Sequence, residues 1–203
     1  MQQPSPAQQE PPDAALVARL GTDRDSLEIF YRRHVTAVTA FAARRCPAAG
    51  DVADVVSATF LRAISGAGTF DPHRGATSAR GWLVGIALNE IRDQARSNRR
   101  HIALVARVSG RRLLDESDVA RIEQLIDAQR LAPKLEEALA QLSSIEREAV
   151  LLVGVDGLSS AEAAVALGLS STVFRARLSR GRRHLRKAFT VNPAGCPEVI
   201  GVL

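Results

Sequence analysis

The sequence predicts an all-α protein made of two helical domains joined by a linker. Apolar residues recur every three to four positions through much of 14–100 and again through 133–189, which is the spacing of one buried helix face. Segment 101–132 breaks this pattern at Ser109-Gly110 and carries five basic and five acidic residues. We therefore expect a first domain over 14–100, a linker over 101–132 and a second domain over 133–189.

Both ends of the chain fall outside these domains. Segment 1–13 contains four Gln and four Pro with almost no apolar content. Such a segment buries too little apolar surface to offset the entropy of ordering it, so a disordered tail is expected. Segment 190–203 contains Pro and Gly but finishes on apolar residues, which makes it a C-terminal tail able to dock on the second domain.

The stretch Ser159–Lys187 predicts two helices joined by a tight turn. Ser159 and Glu162 have the spacing of a capping box, which begins a helix, and Gly168 is suited to the left-handed conformation that ends it. Ser170 then caps a second helix. The buried face of that helix is predicted to contain Phe174, Leu178 and Leu185. This arrangement is typical of a helix-turn-helix, whose second helix enters the major groove of DNA.

The second of these helices is strongly basic. From Ser171 to Lys187 there are seven Arg or Lys residues and no acidic residue. Solvated helix faces usually mix both signs, because opposite charges one turn apart stabilise a helix. An anion is therefore the expected partner, and the net charge of +5 agrees with nucleic acid.

Composition argues against several other classes of protein. With 203 residues, 46% of them hydrophobic, the chain is long enough for one or two domains with real cores. The sequence shows neither a membrane-span-length apolar run nor a signal-peptide pattern, so we expect a cytoplasmic protein without membrane insertion. Cys46 and Cys196 are far apart and the four His are scattered, so we expect no disulfide framework, metal or other cofactor. The sequence contains no cluster of carboxylates of the kind that would predict an enzyme.

Three helices are predicted in the first domain. The first spans about 25–45, with His34 on its apolar face. We interpret His34 as a core histidine, because no carboxylate or cysteine lies one helical turn away. The second begins at Asp51, which is either an N-cap or a functional acid. The third begins at Ala79 and continues to about Arg100.

Two features of this domain suggest binding surfaces. The apolar stripe of the second helix is wider than one core contact requires, so part of it is expected to face another protein. The Gly- and Pro-rich loop Gly66–Ser78 precedes a helix with Asn89, Arg92 and Arg96 at spacings of three and four. These side chains form either a solvated face or a strip that follows a nucleic-acid backbone. We favour the strip, because only Glu90 and Asp93 offset its charge.

Three stretches together resemble the extracytoplasmic-function (ECF) branch of the bacterial sigma-70 family: 51–63 (DVADVVSATFLRA), 70–93 (FDPHRGATSARGWLVGIALNEIRD) and 139–185. They occur in the family's order, with its linker between two domains. The resemblance implies that the first domain is sigma region 2, which docks on the β′ clamp of core RNA polymerase and melts the promoter −10 element. It implies that the second is region 4, which reads the −35 element and touches the β flap. An anti-sigma protein is a further partner that the resemblance suggests.

The resemblance also assigns residues to these roles. Polymerase docking falls on Asp51, Asp54, Val55, Val56 and Phe60. Recognition of the −10 element falls on Phe70, Asp71, His73, Arg74, Ser78, Asn89, Arg92 and Arg96. Recognition of the −35 element falls on Ser171, Thr172, Arg175, Arg177, Ser179, Arg180 and Arg183.

One departure from the family pattern suggests an alternative function. Ser57 and Ala58 stand where the family usually has Gln-Glu, which removes polar contacts to polymerase. The alternative is therefore a sigma-derived helix-turn-helix regulator that binds DNA but no longer joins polymerase. Binding to core polymerase separates the two hypotheses.

Overall fold

The computed structural model of the protein describes residues 11–72, 79–108 and 135–190. Every regular element within these ranges is a helix, so the predicted all-α class is confirmed. The chain divides into two compact units, Met1–Ile91 and Arg92–Leu203. Each unit buries its own set of apolar side chains.

The first unit is built from four helices in its described part. They are α1 (Asp13–Val17), α2 (Arg24–Ala43), α3 (Ala49–Ser65) and the first part of α4 (Ala79–Val108). A 3-10 turn, Ala67–Thr69, follows α3. Because α4 continues to Val108, it extends into the segment predicted as a linker, and the rest of that segment, 109–132, lies outside the described residues.

Aromatic rings form the contact between α2 and α3. Phe30 of α2 is fully buried, and its ring meets the edge of Phe60 from α3 at a centroid distance of 6.5 Å. The ring of Tyr31, also in α2, packs against the Phe60 ring at a centroid distance of 4.7 Å. The apolar spacing on α2 therefore predicted the buried face correctly, since Val38 and Phe41 are buried on it as well.

The start of α3 differs from the sequence prediction. The helix begins at Ala49, and its N-cap residue Ala48 offers no side-chain hydrogen bond. Asp51 therefore lies inside the first turn, and the N-cap interpretation of this residue is wrong. Asp54 falls beyond the first turn, where the helix dipole has little effect on a carboxylate.

Asp13 belongs to the fold rather than to a disordered tail. It is the first residue of α1, and its carboxylate accepts hydrogen bonds from His34 Nε2 at 3.0 Å and from Arg33 at 2.6 Å. His34 is buried beside the ring of Phe30, so it is a satisfied core histidine as predicted. The tail prediction extended too far at this end, and residues 1–10 lie outside the described residues.

The carboxylate of Asp13 connects α1 to His34 and Arg33 of α2, and it favours its charged form. Burial raises the pKa of Asp13, but hydrogen bonds from His34 and Arg33 and the charges of both partners outweigh burial, so the pKa lies below its usual value. Folding therefore stabilises ionised Asp13.

The second unit contains a short helix over 135–140 (α5), then α6 (Ser144–Gly154), α7 (Ser160–Ala166) and α8 (Ser171–Thr190). Both α6 and α7 begin with reciprocal capping boxes, Ser143 with Glu146 and Ser159 with Glu162. Gly168 has a φ of +65°, so the predicted left-handed end of α7 is confirmed.

One apolar face of α8 packs on α6 and α7. Phe174, Leu178 and Leu185 are buried, as their spacing predicted. Arg147 of α6 fixes the preceding helix by donating hydrogen bonds to the carbonyl oxygens of Leu139 and Ala140 at 2.8 and 3.3 Å. Carbonyl groups at the end of a helix lack partners within it, so these bonds join α5 to α6.

We predict that Asp13→Asn destabilises the protein by about 1 to 2 kcal/mol at pH 7, because the charged hydrogen bonds to His34 and Arg33 are weakened. The pKa of Asp13 is lowered in the folded protein. The difference in the free energy of unfolding between the variant and wild type should therefore reach its full size above about pH 5 and disappear as the pH falls through that pKa. Urea unfolding between pH 7 and pH 3 measures this difference.

The control for this prediction is Glu28→Gln, which removes a solvent-exposed ion pair with Arg32 within α2. Exposed pairs contribute little, so this variant should unfold close to wild type. An Asp13→Asn loss that stays constant down to pH 3 would contradict the assignment of the stabilisation to the ionised carboxylate.

Candidate nucleic-acid and protein interfaces

The exposed surface of α8 carries most of the residues predicted to read DNA. The six that lie exposed are Ser171, Thr172, Arg175, Ser179, Arg180 and Arg183. Arg177 is only half-exposed, because it lies beside the buried positions Phe174 and Leu178. The packing of α8 therefore presents a basic, polar face in which Arg177 occupies the edge.

A shallow cavity of about 320 Å³ lies along this face. Its lining consists of Ser160, Arg175, Leu178, Ser179, Arg182 and Arg186. Nε of Arg182 is buried without a hydrogen-bond partner among the described residues. The guanidinium groups of Arg182 and Arg186, beside the hydroxyl groups of Ser160 and Ser179, could hold a phosphate group next to Arg175.

An acid from another helix approaches the basic face of α8. Oε1 of Glu146 in α6 lies 3.6 Å from Nε of Arg180, and the Glu146 side chain is largely buried. Hydrogen bonding from Ser143 lowers the pKa of Glu146, burial acts in the opposite direction, and the positive charge of Arg180 lowers the pKa further. Glu146 therefore favours its charged form beside an arginine of α8.

The docking surface predicted on α3 is smaller than the apolar stripe indicated. Val55, Val56 and Phe60 are 0, 8 and 6% exposed. They belong to the core of the first unit, so their side chains contribute little exposed surface, and their role in polymerase docking stays a prediction. Asp54 is exposed and Asp51 is half-exposed, so both acids remain available for docking.

Leu61 is the large apolar residue that α3 exposes, with 67% of its surface accessible. It lies one helical turn after Ser57 and two after Asp54, on the same side of the helix. Ser57 and Leu61 line a groove of about 520 Å³ between α2 and α3, which Leu27, Tyr31 and Ile64 also line. Sequence reasoning missed Leu61, because the apolar stripe did not distinguish inward from outward positions.

The start of the predicted −10 loop is anchored on α4. The ring of Phe70 packs against Trp82 at a centroid distance of 5.2 Å, and both residues are half-exposed. Asp71 is exposed, whereas His73, Arg74 and Ser78 lie outside the described residues. Trp82 is a second aromatic ring at this site, and sequence reasoning did not include it among the −10 residues.

The polar strip on α4 is present, but its charges are paired differently from the prediction. Asn89 and Arg96 are exposed, and Arg92 is half-exposed. Glu90 is buried and pairs with Arg62 of α3, so it does not offset the strip. Asp93 pairs with Arg96 instead.

Comparison with known families matches both units. Residues 30–101 match the model of sigma-70 region 2, and residues 133–185 match the model of sigma-70 region 4. The chain is 32% identical over 168 residues to RNA polymerase sigma factor CarQ of Myxococcus xanthus, covering 81% of this chain and 89% of CarQ.

The chain belongs to the sigma-70 family of RNA polymerase sigma factors. It is 33% identical to the ECF sigma factor SigC of Mycobacterium tuberculosis, over 83% of this chain and 85% of SigC, in agreement with the ECF branch. A structure of CnrH in complex with the cytosolic domain of CnrY superimposes with a TM-score of 0.55 and 27% identity. That alignment covers 89% of this chain and 98% of CnrH.

None of the helices that the structure describes in this sigma factor has the length and apolar character needed to cross a membrane. Likewise, the described residues include no cluster of His, Cys, Asp and Glu able to hold a metal ion.

Gly181 determines how closely the recognition helix of this sigma factor approaches α6. A Cβ atom added there would lie 2.7 Å from Cγ2 of Val150 and 3.2 Å from the carbonyl oxygen of Glu146. Val150 is a buried, β-branched residue with little rotamer freedom in a helix, so it cannot easily move away. Close approach of α8 to α6 therefore requires a residue without a side chain at 181.

We predict that Gly181→Ala destabilises the second unit by about 1 kcal/mol, because overpacking costs about 1 to 3 kcal/mol and the gain in helix propensity returns only part of it. In a Val150→Ala background, the same substitution should be neutral or stabilising. Guanidinium unfolding of the four proteins gives the coupling between the two sites.

Gly50→Ala is the matched control, since a Cβ at this helical glycine meets nothing within 4 Å. It should stabilise the protein by about 0.5 to 1 kcal/mol. Equal effects of Gly181→Ala with and without Val150→Ala would contradict the steric explanation.

Proposed function

We propose that this sigma factor binds core RNA polymerase and directs it to promoters by reading a −35 element with α8 and a −10 element with the loop and helix that begin at Phe70 and Ala79. The observation that carries this proposal is the exposed, acid-free basic face of α8 on a packed helix-turn-helix. In this proposal segment 14–100 acts as region 2 and segment 133–189 as region 4. They are joined by the linker predicted over 101–132, into which α4 extends.

In this proposal the −35 element is read by two kinds of contact. Arg175 lies near the N-terminal end of α8, the end that a recognition helix points at base edges. Arg183 lies two turns further along, and we assign it a phosphate contact. Phosphate contacts position the helix, whereas base contacts supply sequence specificity.

Recognition of the −10 element requires single-stranded bases. Phe70 and Trp82 provide adjacent rings at the start of the loop, and Asn89 offers an exposed amide on α4. An aromatic surface can stack an unpaired base, and an amide can hydrogen-bond its edge. With only 4% aromatic residues, strand opening should depend on a good promoter match.

Polymerase docking is assigned to the outward side of α3. Asp54 supplies the exposed charge, and Leu61 supplies an apolar contact one helical turn beyond Ser57. Interface energy concentrates in a few such residues. We also propose, on the basis of family membership, that the second unit contacts the β flap of polymerase.

An anti-sigma protein is a further proposed partner. The relative CnrH was solved with the cytosolic domain of CnrY, and RpoE of Bartonella quintana was solved with the anti-sigma factor NepR. Because polymerase and promoters are the proposed partners, we place the protein in the cytoplasm and assign it no catalytic step.

The regulator that binds DNA without polymerase is not favoured. Both sigma regions match family models, and the similar relatives are named RNA polymerase sigma factors. Run-off transcription with core polymerase tests the choice directly. A wild-type protein that binds DNA tightly but neither binds core polymerase nor supports transcription would favour the regulator.

We predict that Arg175→Ala weakens binding to the preferred duplex by about 1 to 3 kcal/mol and relaxes specificity at one base position. Arg183→Ala should weaken binding to all DNA sequences alike and reduce the salt dependence of binding by the amount that corresponds to about one phosphate contact. The measurement is binding of the full-length protein to duplexes selected from a random pool and to scrambled duplexes, at several salt concentrations. Equal losses for Arg175→Ala on both duplexes would exclude base reading.

We predict that Asp54→Arg abolishes transcription with core polymerase while the fold and duplex binding are retained, because Asp54 is exposed and lies beyond the first turn of α3. Pull-down with core polymerase and run-off transcription measure the loss. Glu137→Arg changes the net charge equally at an exposed position of the second unit and should leave polymerase binding intact. Normal transcription by Asp54→Arg would contradict the proposal that α3 docks on polymerase.

A further inference from the structure

The two oxygens of the Glu146 carboxylate have separate partners. Oε2 accepts hydrogen bonds from the backbone N–H and the hydroxyl of Ser143, at 3.3 and 2.7 Å, and closes the capping box of α6. Oε1 faces Nε of Arg180 at 3.6 Å. The same unit contains a second capping box, formed by Ser159 with Glu162 at the start of α7.

Both ends of the Glu146 to Arg180 contact are held by the fold. The capping box fixes the carboxylate at the start of α6, and the Glu146 side chain is only 10% exposed. The backbone of α8 is fixed next to it, because Gly181 lies against the carbonyl oxygen of Glu146 and the side chain of Val150. Packing therefore sets the backbone positions on both sides of the charge pair, and the entropy that remains to be lost in forming it is that of the Arg180 side chain.

The contact leaves the DNA-binding end of Arg180 available. The carboxylate faces Nε, while 46% of the Arg180 side chain remains exposed. A guanidinium carries five N–H donors, so the terminal nitrogens can still donate to a base edge. An arginine without a nearby acid can turn toward any neighbouring phosphate, whereas the attraction of the fixed Glu146 carboxylate favours the orientations that keep Nε near it.

We propose that Glu146 is a positioning residue for Arg180: its carboxylate orients the guanidinium on the exposed face of α8, and so increases discrimination between −35 sequences at the cost of general affinity for DNA. This inference rests on the proposed −35 reading by α8. Glu146 itself touches no DNA in this proposal and acts only through Arg180.

Glu146→Gln isolates the charge from the capping role. A Gln side chain can accept the hydrogen bonds from Ser143 through its oxygen, as in the S-x-x-Q form of the capping box. Its amide nitrogen then faces Arg180 with a donor, which no longer attracts the guanidinium. Glu162→Gln is the matched control, because it makes the same charge change in the other capping box.

The experiment measures binding of the full-length protein to the selected duplex and to its scrambled form, and compares the ratio of the two affinities. Arg180→Ala should lower this ratio by at least about 5-fold, as expected for loss of a base contact. Glu146→Gln should lower it by about 3-fold, mainly by strengthening binding to the scrambled duplex. Glu162→Gln should leave the ratio unchanged.

The double variant Glu146→Gln/Arg180→Ala separates positioning from a structural effect. If Glu146 acts through Arg180, Glu146→Gln has no effect on the ratio once Arg180 is Ala. A Glu146→Gln effect that persists in that background, or no effect in either background, would overturn the positioning role while base reading by Arg180 stands. An unchanged ratio in Arg180→Ala alone would overturn base reading by Arg180, and the positioning role with it.

Discussion

The close packing of α8 on α6 is the interaction on which the DNA-binding unit depends. The helix carries seven Arg or Lys residues, and repulsion among them opposes its folding in isolation. Phe174, Leu178 and Leu185 hold it to the unit through one narrow apolar face. Because Gly181 lets the two backbones approach, the same packing that buries this face also determines which arginines point outward.

The first unit shows how a core requirement can limit a binding surface. The apolar positions of α3 turn inward and pack with α2, which leaves Asp54, Ser57 and Leu61 as the side available to a partner. The unit is closed at its other end by Asp13, whose carboxylate joins α1 to His34 and Arg33. A residue near the start of the chain thus satisfies a buried polar group that would otherwise carry a large desolvation cost.

Acidic residues have different roles in the two units although the sequence presents them similarly. Glu90 turns inward to pair with Arg62, Asp93 pairs along its own helix with Arg96, and Glu146 caps α6 while approaching Arg180. The last two of these pair with arginines that were predicted to contact DNA, Arg96 and Arg180. A count of charges along a helix therefore indicates the net electrostatic potential of a surface, but it does not identify which Arg or Lys each acid pairs with.

The all-α class, the helix-turn-helix and the basic character of α8 could be predicted from the amino-acid sequence alone. These features follow from residues close together in the chain, such as the capping box at Ser159 and the left-handed Gly168. The burial of Val55, Val56 and Phe60, the place of Asp13 in the fold and the approach of Glu146 to Arg180 became evident only from how the helices pack. Periodicity gives each helix an apolar side, whereas the rotation of a helix and its distance from a neighbour depend on contacts such as that of Gly181 with Val150.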